Sequence, residues 1–133
     1  MADLIRCRVL VVEDEPVIAM ALEDLLLELG CTVVGPISTV NGAFEAAETE
    51  VLDGALLDVN VRGTLIYPVV ERLIERGVPV VLCSGYALTS AIPSPFNALP
   101  QIAKPYNPYI VRSTIQNAFA GGARLEPKTD FGS

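Results

Sequence analysis

The sequence predicts an α/β architecture, a parallel sheet with helices on both faces, and three observations predict it. Four strand-length apolar runs and a weaker fifth alternate along the chain with stretches of helical periodicity. Hydrophobic residues make up 51% of the chain, charged residues 19%, and the mean hydropathy is +0.46, which suits strands covered on both sides. A length of 133 residues supports one domain with a substantial core and leaves no room for a second.

The apolar runs are Arg8 to Val12, Thr32 to Gly35, Gly54 to Leu57, Pro79 to Cys83 and the short Gln101 to Ala103. Between the first two, Ile18, Ala21, Leu22, Leu25 and Leu29 recur at helical spacing, with Glu23, Asp24 and Glu28 off that face and Gly30 as the stop. Met20 and Leu27 fall on the opposite side of this helix and are expected to face solvent. Ser38 is placed to cap a second helix through Ala43, Ala46 and Ala47, and a third runs from about Tyr67 to Arg76, where Gly77 ends it. Pro93, Pro95 and Pro100 break up the stretch from Ala87 to Pro100, so a fourth helix is expected to be short or absent. Asn107-Pro108 reads as cap and first turn of a last helix whose inward residues are Val111, Ile115, Ala118 and Phe119. The domain is expected over 6–120, with 121–133 as a frayed tail.

Composition removes several function classes. Nine Lys and Arg against sixteen Asp and Glu give a charge of −7, a poor balance for holding a nucleic acid. No apolar run is long enough to span a bilayer, and Met1-Ala2-Asp3 does not begin a signal peptide, so a cytoplasmic protein without membrane contact is expected. Cys7, Cys31 and Cys83 are odd in number and sit in apolar surroundings, as reduced packing residues do. The absence of histidine excludes Ser-His-Asp and Cys-His catalysis and most zinc sites, leaving oxygen as the metal ligand.

In parallel sheets, chemistry gathers beyond the C-terminal ends of the strands. Glu13-Asp14-Glu15 follows the first run, Asp58 the third, Ser84-Gly85 the fourth and Lys104-Pro105 the fifth. Each is ordinary alone: an acidic helix start, a turn aspartate, a Ser-Gly turn, a Lys-Pro pair. Together, in chain order, they place acids, a hydroxyl and a lysine on one rim. Carboxylates brought that close repel by about 4 kcal/mol per pair at an effective dielectric near 20, so a counter-charge is needed. Magnesium suits Glu13, Asp14 and Asp58, and the remaining groups suit phosphoryl chemistry: a carboxylate nucleophile at Asp58, a cation at Lys104, a hydroxyl at Ser84.

These residues resemble the receiver domain of two-component response regulators over essentially 6–120. The matching stretches are Val9-Leu10-Val11-Val12-Glu13-Asp14-Glu15, Leu56-Leu57-Asp58-Val59-Asn60, Val80-Val81-Leu82-Cys83-Ser84-Gly85 and Ala103-Lys104-Pro105-Tyr106. The resemblance implies a flavodoxin-like (βα)5 three-layer sandwich with a five-stranded parallel sheet of order 2-1-3-4-5. It implies phosphorylation of Asp58 by a sensor histidine kinase or histidine phosphotransfer protein, with Mg2+ held by Glu13, Asp14, Asp58 and the main-chain carbonyl of Asn60. Ser84 would be the switch hydroxyl, Lys104 the phosphate-pairing cation, Asn60 and Tyr86 modulators of phosphate lifetime, and the bond before Pro105 cis. Two features depart from the common pattern: Gln101 stands where many receivers carry an aromatic toggle, and the fourth-helix region is crowded with proline. The pattern Asp58-Val59-Asn60 with Lys104-Pro105-Tyr106 resembles the stand-alone receivers of alphaproteobacteria that have an atypical fourth-helix region, and a monomer or weak dimer is expected. Two rival readings remain: a phosphate-independent pseudo-receiver, and a small Mg2+-dependent aspartyl-phosphate phosphatase. The second would want an acid where this chain has Asn60.

Overall fold

The computed structural model describes residues 4–85 and 92–119. In chain order the elements are β1 (Arg8–Val12), α1 (Pro16–Glu28), β2 (Thr32–Ile37), α2 (Val40–Thr49), β3 (Gly54–Asp58), β4 (Asn60–Val61), β5 (Thr64–Leu65), α3 (Tyr67–Glu75), β6 (Val80–Ser84), a 3-10 turn (Phe96–Ala98), β7 (Gln101–Ala103) and α4 (Pro108–Phe119). Five strands form one sheet in the order β2-β1-β3-β6-β7, every pair parallel, while β4 and β5 make a separate antiparallel hairpin. With that hairpin set aside, the order is the expected 2-1-3-4-5, a flavodoxin-like receiver fold.

Side chains of the central strands alternate between two cores, as a period of two requires. Leu10, Val12, Ala55, Leu57, Val80 and Leu82 pack with α2 and α3 on one face. Val9, Val11, Leu56, Val81 and Cys83 pack with α1 and α4 on the other. This double burial is why the strand sequences read as unbroken apolar runs.

Helices α1 and α3 end in the same way. After α1, Gly30 at φ +89° donates to the Leu27 carbonyl and Cys31 to that of Leu26; after α3, Gly77 at φ +76° donates to Ile74 and Val78 to Leu73. Each is a Schellman cap, which turns the chain back toward the next strand and requires a residue tolerant of left-handed backbone. Asn107 caps α4 through Oδ1, which accepts the N–H groups of Tyr109 and Ile110 at 2.8 and 3.3 Å.

Three expectations need correction. The inward face of α1 is Ala19, Leu22 and Leu26, with Ile18, Leu25 and Leu29 half-buried, while Ala21 is exposed. Apolar residues surround this helix so completely that the sequence leaves its rotational phase ambiguous, although Met20 and Leu27 are exposed as expected. The cap of α2 is Thr39, whose Oγ1 accepts the Gly42 N–H at 3.0 Å, one residue later than Ser38. The displacement follows from β2, which continues past Gly35 to Ile37 through a register shift against Leu10 and Val12.

In the fourth-helix region, 92–100 contains only the 3-10 turn, while 86–91, and with it Tyr86, lies outside the described residues. The tail expected at 121–133 also lies outside them. Among the described residues no helix is long and apolar enough to cross a membrane.

Candidate functional site

Parallel strands that end together deliver their next residues to a common rim. Asp58 closes β3 and Ser84 closes β6, while Glu13 follows β1 directly and Lys104 follows β7 directly. The ladder continues one step past the strands: Glu13 N–H donates to Ile37, Val59 N–H to Cys83 and Lys104 N–H to Ser84, at 2.9, 2.9 and 2.8 Å. These bonds fix the backbone from which the polar side chains project.

Among the described residues, Glu13, Asp58 and Ser84 are the buried polar or charged residues, at 2%, 5% and 1% exposure. Carboxylate oxygens of Glu13, Asp14 and Asp58 all lie within 4.8 Å of one another. Lys104 Nζ sits 3.0 Å from Asp58 Oδ2, 3.2 Å from Glu13 Oε1 and 3.6 Å from Glu15 Oε1. Glu13 also accepts the Glu15 N–H at 3.1 Å and the Tyr106 hydroxyl at 3.5 Å. Asp14 Oδ2 accepts the Arg62 N–H at 2.9 Å. Asp14, Glu15, Asp58 and Lys104, with Asn60 and Ser84, line a cavity of about 350 Å³.

Burial, and then the charge of Asp58, push the Glu13 carboxyl up to about 7, against the opposing pull of the Glu15 N–H and Lys104. Burial works against the charge on Lys104, but the hydrogen bond and charge of Asp58, with the charge of Glu13, outweigh it and leave the ammonium held more tightly than usual. Burial, followed by the neighbouring Cys83, raises the Tyr106 phenol, which stays protonated and serves Glu13 as a donor. Ser84 Oγ has no hydrogen-bond partner among the described residues.

Three carboxylates facing one ammonium leave two negative charges when all are ionised, the charge a divalent cation neutralises. An all-oxygen donor set of this spacing fits a small hard cation such as Mg2+.

Folding therefore brings Glu13, Asp14, Asp58, Ser84 and Lys104 together. Asn60 lines the same cavity, but its side-chain Oδ1 is committed to the Gly63 N–H at 2.8 Å. The Lys104–Pro105 bond is cis, as the resemblance implies. Gln101, at the toggle position, is half-buried with its amide donating to the Asn97 carbonyl at 3.1 Å. Sequence reasoning missed the contributions of Glu15, Tyr106 and Arg62. Tyr106 lies two residues beyond the lysine and could have been flagged by that spacing, whereas the hairpin that carries Arg62 left only two two-residue strands as a signal.

No protein-family model matches the chain. It is 34% identical over 116 residues to the phyllosphere-induced regulator PhyR of Methylorubrum extorquens, covering 83% of this chain and 42% of that protein, so it spans about two-fifths of that curated relative. Among solved structures, SdrG of Sphingomonas melonis Fr1 is 40% identical, covers 86% of this chain and 96% of its own, and superposes with a TM-score of 0.74; SdrG is also solved in a BeF3-activated conformation. The PhyR response regulator REC domain of Erythrobacter litoralis is 30% identical, with 92% and 98% covered and a TM-score of 0.77. With the fold, the acidic rim and these relatives in agreement, the chain belongs to the response regulator receiver domains of two-component signalling.

Proposed function

We propose that the protein is a phosphorylation-dependent switch in which Asp58 accepts a phosphoryl group from a sensor histidine kinase or histidine phosphotransfer protein in a Mg2+-dependent reaction. Output passes through contact with another protein or relay of the phosphoryl group. One observation carries this reading: Asp58 is held 3.0 Å from Lys104, beside the carboxylates of Glu13 and Asp14 and a Ser84 hydroxyl that has no hydrogen-bond partner among the described residues.

Glu13, Asp14, Asp58 and the Asn60 carbonyl would hold the Mg2+, which supplies the positive charge that lets a phosphoryl oxygen approach these carboxylates. An Asp58 oxygen attacks phosphorus in line with the departing imidazole nitrogen; an acyl-phosphate P–O bond forms, the P–N bond breaks, and its electrons stay with the imidazole. Lys104, already paired with Asp58, follows the charge onto one phosphoryl oxygen, and Ser84 donates to another. Their movement draws in the loops after β6 and β7 and biases a pre-existing equilibrium toward the active conformation. The BeF3-activated conformation of SdrG supports this reading, since BeF3 mimics a phosphoryl group on a carboxylate.

The phosphodonor protein docks on the exposed apolar side of α1, where Met20 and Leu27 are 63% and 53% exposed. Output to a protein partner accords with Bartonella quintana PhyR, an anti-anti-sigma factor of which this chain spans 49%.

Incubation with phosphoramidate and Mg2+ followed by intact-mass measurement tests the reading. One phosphoryl adduct is expected in the native protein and none in Asp58→Asn. No adduct with any donor would return the pseudo-receiver reading, and turnover of many phosphomonoesters the phosphatase.

A further inference from the structure

The geometry points to Arg62 as a positioning residue for the cation site, acting through the β4–β5 hairpin rather than by touching a ligand. This rests on the Mg2+ reading above. The two-residue turn of the hairpin is Arg62-Gly63, and both residues have positive φ, +54° and +84°, as a tight hairpin with the native twist requires. Gly63 accepts that conformation freely. Arg62 does not: Asn, Asp and Gly are the residues that take left-handed backbone at low cost, and an arginine there is strained.

The strained residue makes two long-range bonds. Its main-chain N–H donates to Asp14 Oδ2 at 2.9 Å across 48 residues of chain, and its Nε donates to the Ser38 carbonyl, also at 2.9 Å. One residue thereby ties three loops on the site rim: the β1–α1 loop that carries Asp14, the β2–α2 loop that carries Ser38, and the β3–α3 connection of which it is the tip.

The three acids differ in how they are held. Glu13 is 2% exposed and bonded by the Glu15 N–H, Lys104 and Tyr106, and Asp58 is 5% exposed and bonded by Lys104. Asp14 is only half-buried, and among the described residues the hydrogen bond to its side chain comes from Arg62 alone. The guanidinium anchors the tip of the hairpin against Ser38, and the anchored N–H holds Asp14 facing the other two carboxylates. Without the anchor the N–H is still present but no longer fixed in place, and Asp14 loses its orientation.

Arg62→Asn separates the anchor from the turn, because asparagine suits left-handed backbone and retains the N–H while lacking the reach to Ser38. The Mg2+ dissociation constant of wild type and variant is read by NMR titration at pH 8, alongside the melting temperature and the position-62 amide resonance. Expected is binding weakened about tenfold, a melting temperature unchanged or raised, and a position-62 amide that Asp14→Asn shifts in wild type but much less in the variant. Unchanged Mg2+ affinity in the variant, or a fall in affinity that only accompanies a fall in melting temperature, overturns the positioning role and leaves the proposed function standing. Wild type that binds no Mg2+ overturns both.

Discussion

At the N-terminal ends of β6 and β7 lies a cavity of about 520 Å³ lined by Ile74, Val78, Val80, Leu99 and Ala118 among others, and at their C-terminal ends lies the smaller one, about 350 Å³, that holds Asp14, Asp58, Ser84 and Lys104. A search for the largest apolar hollow would choose the first. Among the described residues that line it none is charged, whereas at the other rim four strands bring carboxylates, a hydroxyl and an ammonium together. The difference comes from chain direction. Parallel strands place every C-terminal end on one side, so residues released from packing at those ends meet each other, while the opposite rim receives helix ends and the starts of strands that must pack. In this fold, converging charge marks the site better than cavity volume does.

That contrast can be broken by experiment. The largest effect is expected for Asp58→Asn, which should lose the phosphoryl adduct entirely while remaining folded; an adduct retained elsewhere on the chain would mean the acidic rim is not the reacting end. Away from the acidic rim, Leu73→Ala, on the buried face of α3, should cost about 3 kcal/mol in urea unfolding, yet leave phosphoramidate labelling of the folded fraction unchanged. Reduced labelling per folded molecule would show that this packing and the rim are coupled.

The pH dependence sharpens the comparison. Glu13 retains its proton up to about 7 in the fold against an ordinary value of 4.5. The folded protein therefore binds more protons than the unfolded chain between those values, so the contribution of Glu13 to stability, present in full below about 4.5, is lost as pH rises to about 7. Cation binding runs the other way because it needs the ionised form. Mg2+ affinity should be about thirtyfold weaker at pH 5.5 than at pH 8, and a flat profile by titration calorimetry would remove Glu13 from the ligand set. In Asp58→Asn the Glu13 midpoint should fall but stay above 4.5, since burial is the larger cause of its elevation. Smallest of all, Met20→Lys or Leu27→Lys should slow transfer from a phosphorylated donor protein about threefold while leaving labelling by phosphoramidate untouched; equal effects on both donors would place the change in the site rather than on a docking face.

What the sequence revealed follows from how strongly each feature is constrained. Doubly buried strands leave long apolar runs, and a residue that ends such a run, like Asp58 or Ser84, is conspicuous against it. The strand order was legible only through resemblance, since pairing between distant strands leaves no local trace. Ala21 was misplaced because α1 has apolar side chains on every face, and one step along a helix turns the assignment by 100°. The β4–β5 hairpin was invisible because two-residue strands carry no periodicity, and with it went the contact from Arg62 to Asp14. Thr39 displaced Ser38 as a cap because the preceding strand runs two residues further than its apolar run suggests.

Among the described residues the Ser84 hydroxyl has no hydrogen-bond partner, and this bears on the proposed switch. A buried hydroxyl left without a partner costs about 1–3 kcal/mol, and Ser84 lines the cavity beside Asp58 with no hydrogen-bond partner for its hydroxyl among the described residues. Under the proposed function, a phosphoryl oxygen on Asp58 would give that hydroxyl an acceptor without displacing a partner among the described residues. The switch proposed above would then draw part of its driving force from a hydrogen bond that the described residues of the unmodified protein do not supply.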